Sequence, residues 1–321
     1  MSHHSILARR PALAAMLKLE RRAVTQPLPT RGLHPLVMPI ARAEPDGAGV
    51  LGLLRWPLGK SQTEWVVKTH PQGTDNGRAN PIESLTVRPL GSVAQFTRRI
   101  AVETDAKGDN EDLVRLASDA CVEAGGTAYE VGSFEDSKLS LPQFILLKAG
   151  MAFPDVWTEL ARRQLARGDE TAALVAAERG SANNPGWGCC LWEQAKLMDE
   201  LGRAEERRDL ALAALEMPYW TLGAPVQEVM RAANLEHVPN LRELMRTQEE
   251  MVRKQQMAPP RSARELALLD VMDLLDETVR LDGRWDNVRP GVVDALEQGA
   301  YETDAQIARG DGLAKEPSPG A

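Results

Sequence analysis

Pro154-Asp-Val-Trp157-Thr-Glu-Leu160-Ala161-Arg-Arg-Gln-Leu-Ala-Arg-Gly168-Asp169-Glu-Thr-Ala-Ala173-Leu-Val-Ala-Ala177-Glu-Arg-Gly-Ser-Ala-Asn-Asn184-Pro185 is the stretch whose reading decides the fold. It reads as two helices around one turn. Trp157 and Leu160 are three apart and share a face of the first helix. Ala161 is small where the two helices must approach. Gly168 stands where the first helix stops, a place that favours a left-handed residue. Ala173 and Ala177 let the second helix pack closely, and Pro185 ends it by restricting Asn184 to extended conformations. Shifted by 34 residues, the pattern persists but weakens. Ala195 replaces Ala161, Gly202 replaces Gly168, Ala214 stands near the end of a second helix and Met217-Pro218 closes it. Arg207, however, takes the place of Ala173, and Leu191 that of Trp157.

The 34-residue spacing and these residues resemble the tetratricopeptide-repeat family over about 154–219. The resemblance implies a mostly α-helical chain with an α-α superhelical core. Such scaffolds offer a concave surface to a partner and rarely carry chemistry themselves. In that family the inner helix of each hairpin lines the groove. By register, Asp155, Thr158, Arg162 and Leu165 would face inward from the first unit, and Trp192, Lys196 and Asp199 from the second. One subgroup grips C-terminal carboxylates with paired Lys and Asn; Thr158 and Arg162 stand at the first two of those positions, so that clamp is absent. Trp192 and Arg162 are of residue types enriched at binding hot spots. Whether neighbouring segments fill the groove stays open. Tandem helical units need three or more copies to bury a continuous core, so flanking helices must supply the missing layers.

Downstream, Asn240–Glu243 and Ser262–Glu265 read as helix-capping boxes. Leu266, Leu269, Val271-Met272, Leu275 and Val279 make an apolar stripe up to Asp282-Gly283. A last helix is expected to start near Pro290, with Val293, Leu296, Ala300 and Ile307 on one face. Residues 310–321 read as a Gly/Pro-rich tail.

Residues 1–43 hold seven basic residues and one acidic residue. Leu13, Met16, Leu17 and Val24 can line one face of a helix, and Ile40-Ala41-Arg42-Ala43 follows. A basic, amphipathic, acid-poor leader is the pattern of an organelle transit peptide, so 1–43 is expected to be disordered and cleaved near Ala43. The small-residue motif favours plastid over mitochondrion. The whole chain carries −8, with 38 basic and 46 acidic residues; without the leader 31 and 45 remain, or −14. An acidic body disfavours nucleic-acid binding, which relies on Lys/Arg at phosphates. No stretch approaches 18 apolar residues, so no transmembrane helix is expected. Three cysteines exclude a disulfide framework.

Between leader and repeats, Gly49–Trp56 is an apolar run. Glu64–Thr69 and Glu83–Arg88 look like strands, joined by a Gly/Pro/Asn-rich loop. A small β-hairpin or three-stranded sheet fits. Helices are expected after Ser92 (Val93, Phe96, Ile100) and after Asn110 (Leu113, Leu116, Ala120, Cys121), with another over Pro142–Ala152. The domain reading is therefore a leader to 43, a β-plus-helix cap over 44–150, repeats over 151–220, C-terminal helices over 221–309 and a tail.

Chemistry is sparse. Gly59-Lys60-Ser61 lacks the glycine five positions earlier that a P-loop needs; Leu54 is there. Gly108-Asp109-Asn110 lacks the alternating ligands of a calcium loop. Cys189-Cys190 has no Cys-x-x-C partner or nearby His for zinc. No catalytic residue, cofactor or metal is expected. These features point to a protein-binding assembly, stability or adaptor factor of unknown oligomeric state. The alternatives are an enzyme without a linear motif, seated around Arg98, Arg99, Glu103, Asp105 and Glu123, or a structural subunit of an organelle complex.

Overall fold

A sheet buried on both faces separates two apolar cores. The computed structural model describes residues 7–20, 22, 30–44, 49–55, 64–72, 81–150 and 153–310. Helix α1 (Pro11–Leu19) comes first. Strands β1 (Val37–Arg42), β2 (Val50–Leu54), β3 (Trp65–Thr69) and β4 (Arg88–Ser92) then pair antiparallel in chain order, with a short helix α2 (Pro81–Leu85) leading into β4. Side chains alternate across the sheet. Met38, Ile40, Leu51, Leu53 and Val66 enter one core, whereas Val37, Leu54 and Val67 enter the other. Burial on both faces explains why 50–54 is continuously apolar rather than alternating with polar residues. Gly52 is required by close approach: a Cβ there would lie 2.3 Å from Val37 Cγ1.

The first core is aliphatic. It gathers α1, α3 (Val93–Asp105) and α4 (Glu111–Glu123), then α5 (Ser133–Ser137) and α6 (Leu141–Leu147). The helices start after Ser92 and Asn110 as expected; Ser92 forms a capping box with Gln95, and Asn110 caps α4. The disordered leader expected over 1–43 is corrected here. Leu13, Met16 and Leu17 are at most 1% exposed. The stripe that reads as a targeting helix is a core stripe packed with α4. The Glu123 carboxylate accepts from the N–H groups of Ala12 and Leu13 at 3.4 and 3.3 Å, satisfying donors that a helix N-terminus leaves open. Ile40 and Ala41 are fully buried in β1, so a cut near Ala43 would remove a strand. Val24 lies outside the described residues. Two further expectations change. Residues 83–85 are helical rather than extended, and β4 begins at Arg88. The sheet has four strands because the expected leader supplies one.

Two helical hairpins follow: α7 (Pro154–Ala166) with α8 (Glu170–Asn183), and α9 (Gly188–Glu200) with α10 (Ala204–Glu216). Gly168 and Gly202 both turn with positive φ, 80° and 71°, the region in which glycine is favoured. Ala173, Ala195 and Ala214 are fully buried at helix contacts. Asp169 caps α8 by accepting from the Ala172 N–H at 2.9 Å.

The second core is aromatic. A 3₁₀ turn at Tyr219–Thr221 leads to α11 (Val226–Ala232), α12 (Leu241–Gln255), α13 (Ala263–Arg280), α14 (Trp285–Gln298) and α15 (Glu302–Arg309). Trp65, Trp187, Trp220, His34 and Trp285 form a chain of ring contacts with centroids 4.7–6.1 Å apart. Burial, helped by the Arg289 charge, lowers the His34 pKa to about 3, so the imidazole is neutral. Sequence and structure differ at two places. The α13 stripe runs through Ala267, Leu268, Val271, Leu275 and Val279, leaving Leu266 exposed. The single last helix is two: α14 starts at Trp285 and contains Pro290, and Ile307 belongs to α15.

Candidate functional site

The cleft between α7, α8 and α9 is lined by Trp157, Thr158, Ala161 and Arg162 on one side and by Glu193, Lys196, Leu197 and Glu200 on the other. Its shape follows from small residues. A Cβ on Gly180 would stand 3.0 Å from Trp157 Cβ, so glycine lets α8 close on α7. The cleft is charged at its centre. Glu193 accepts from Arg162 Nη2 at 2.9 Å and from Lys196 Nζ at 2.6 Å. The Arg162 side chain is 61% exposed. A volume of about 50 Å³ is far below the few hundred Å³ of a small-molecule site. The cleft can receive one or two side chains of a partner, not an enclosed substrate.

Of the residues expected in the groove, Thr158, Arg162 and Lys196 meet there. The others do not. Trp192 is 6% exposed and belongs to the aromatic core. It shares that core with Tyr219, Trp220 and residues of the C-terminal helices. The groove-facing positions of α9 are therefore Glu193, Lys196, Leu197 and Glu200. Asp155 is bound internally, accepting from Arg99 at 2.9 and 2.6 Å. Burial opposes the Arg99 charge, but the hydrogen bonds and charges of Asp155 and Glu103 outweigh it and raise its pKa. Asp199 is paired with Arg207 at 2.7 Å. Leu165 is half-buried outside the cleft lining.

Of the polar groups considered for an enzyme seat, Arg99, Asp105 and Glu123 make internal hydrogen bonds. Asp105 accepts from the Tyr129 hydroxyl at 2.7 Å and from the Gly132 and Phe134 N–H groups. Arg99 locks α3 to α7, and Glu123 caps α1. Cys190 is buried beside Cys189, whose hydrogen bond, together with burial, pushes the Cys190 thiol up. Among the described residues no cluster of His, Cys, Asp and Glu could hold a metal. No described helix is long and apolar enough to cross a membrane.

Sequence reasoning missed a second feature, a groove of about 560 Å³ between α12 and α13. On α13 the fully buried Asp276 accepts from the Tyr219 N–H at 2.6 Å and lies 2.7 Å from Nη2 of the groove-lining Arg242. The latter contact is ionic rather than an aligned hydrogen bond. Burial raises the Asp276 pKa to about 7, against the opposing pull of Arg242 and the Tyr219 N–H. Arg246 pairs with Asp273 and, at 3.5 Å, with Asp270. The legible signal was the 270, 273, 276, 277 spacing of acids along one helix.

The fold is thus a stack of helical hairpins whose ends are closed by a sheet-and-helix layer and by C-terminal helices. Residues 5–149 match the family model described as PAB N-terminal, and residues 154–239 that described as PAB middle domain. The chain carries both domains, and the hairpins that resemble tetratricopeptide units fall inside the second. The chain is 31% identical over 227 residues to the Arabidopsis thaliana protein named Protein IN CHLOROPLAST ATPASE BIOGENESIS, chloroplastic. The match covers 70% of this chain and 63% of that relative's length. No solved structure matches the chain.

Proposed function

We propose that this protein is a non-catalytic assembly factor of the plastid that acts in ATPase biogenesis by holding a protein client on its hairpin stack. The observation that carries the reading is the likeness to a relative named for chloroplast ATPase biogenesis. The site supports it. A narrow cleft with an exposed guanidinium and ammonium around one carboxylate suits charged side chains of a client. Breaking the Arg162–Glu193 contact costs little at an exposed site, so a client carboxylate can replace Glu193 as the partner of Arg162. The hairpins act in this reading as degenerate tetratricopeptide-like units.

The test is affinity purification of the chain from its own cells, comparing wild type with Arg162→Glu/Lys196→Glu. The wild type should co-purify an ATPase subunit in sub-stoichiometric amount. The double variant should lose that subunit while keeping its helical circular-dichroism signal, and cells carrying it should hold less assembled ATPase. Unchanged capture by the double variant would overturn the cleft as the docking site. Stoichiometric presence in the finished complex would make the protein a subunit instead.

A further inference from the structure

Helix α12 is attached to the body by its charged side. Arg242 reaches Asp276 at 2.7 Å, Arg246 reaches Asp270 and Asp273, and Arg261 reaches back to Glu250 and, at 2.7 Å, to Glu249. Leu241 is its sole fully buried residue. Leu241 and the half-buried Met245 pack on the second core, whereas the other apolar positions face outward: Leu244, Met251 and Val252 are 42%, 53% and 47% exposed. Their spacing, with Gln248 midway, is that of one helix face. Amphipathic surface helices ordinarily turn this face to the core, whereas this stripe lacks a partner among the described residues.

We infer that the stripe is the contact between two copies of this chain, paired antiparallel about a two-fold axis at Gln248. The charges along its border select this occupant. Glu243, Thr247 and Lys254 follow one edge of the stripe at i, i+4 and i+11. The other charged groups of α12 are engaged: Arg242, Arg246, Glu249 and Glu250 as above, and Arg253 by donating to the Pro259 carbonyl at 2.7 Å. Glu243 touches the Asn240 amide but has no ion pair among the described residues, and Lys254 has none either. In an antiparallel pair centred on Gln248, Glu243 stands five residues before the centre and Lys254 six after it, so Lys254 of each copy lies within one residue's rise, about 1.5 Å, of Glu243 of the other, giving two complementary pairs. Leu244 packs on the partner's Val252, and the two Gln248 amides meet at the centre, where a polar residue fixes register. The inference stands independently of the client cleft.

The test is sedimentation velocity of the full chain from low to high micromolar concentration. Wild type should show a concentration-dependent monomer–dimer equilibrium. Glu243→Lys and Lys254→Glu should each weaken it by about tenfold or more, since each sets like charges opposite one another. An equimolar mixture of the two variants should restore it, because one copy then offers two cations and the other two anions. Leu244→Glu, at an exposed site, should abolish it with helicity unchanged. A wild type that stays monomeric throughout, including one that captures a different protein through α12, overturns the inference. So does a mixture that associates no better than either variant alone.

Discussion

The two hairpins share a turn but not a burial pattern. In the first, which keeps the repeat residues, α7 fully buries only Val156 and Ala161. In the second, which has lost them, α9 buries Gly188, Cys190, Trp192, Gln194, Ala195, Leu197 and Met198. The repeat pattern thus survives where few side chains of the helices are fully buried. It is released where the 3₁₀ turn and C-terminal helices lay a second apolar surface on the stack.

The largest effect expected of this difference is at the tryptophans. Trp192→Ala should cost about 3–5 kcal/mol, and Trp157→Ala, at a half-buried site, roughly half as much or less, both read by urea unfolding. Equal losses would break the contrast. Acid should remove the His34 contribution to the second core, while the raised pKa of Asp276 works in the opposite direction over the same range. The folded-state pKa of His34 lies below its unfolded value, so its contribution is intact above pH 6.5 and lost as pH falls toward 3. From about pH 6.5 to about pH 4.5 the loss reaches roughly 2–3 kcal/mol. His34→Phe should flatten that part of the slope in unfolding measured across pH. Next comes packing. Ala173→Leu should cost roughly 1–3 kcal/mol by overcrowding the first hairpin. Arg207→Leu, at the matching but half-exposed position of the second, should stay within about 0.5 kcal/mol. A similar melting shift for both would merge the two environments. The smallest effect is shared. Gly168→Val and Gly202→Val should each cost on the order of 1–2 kcal/mol, since both turns use positive φ. Unequal losses would show that the hairpins differ in the turn as well as in burial.

Local signals were well preserved in the sequence. Turn glycines, the caps at Asn240 and Ser262, the helix starts after Ser92 and Asn110, and the strand at Trp65–Thr69 were readable because neighbouring residues determine them. The plane that Trp192 faces was not readable, because helical periodicity tells which residues share a face and not which face meets the rest of the protein. The same ambiguity misassigned α1. Leu13, Met16 and Leu17 beside Lys18 fit a targeting helix and a core helix equally well, and only the distant partner α4 decides between them. Arg162 and Lys196 were found because exposed, charged positions of an inner helix have few competing uses. Asp155 and Asp199 were lost to Arg99 and Arg207, partners that lie on other helices.

Segments far apart in the sequence, residues 30–33 and 72 on one side and 283–289 on the other, meet. Arg289 donates to the carbonyls of Leu33 and Thr30 at 2.7 and 2.9 Å, Asp286 accepts from the Gly32 N–H at 2.9 Å, and Gln72 bridges the Trp285 N–H and the Gly283 carbonyl. Ile307 even enters the first core. Contacts spanning more than two hundred residues form late, because a long stretch of chain must be closed before they are rewarded. On the ribosome, the N-terminal sheet must therefore wait, with its edge and aromatic face uncovered, until α14 has emerged. A chain halted after Asp282 should keep helical signal but lose the near-ultraviolet tryptophan ellipticity of the ring chain. The chain itself would need chaperone cover for most of its synthesis.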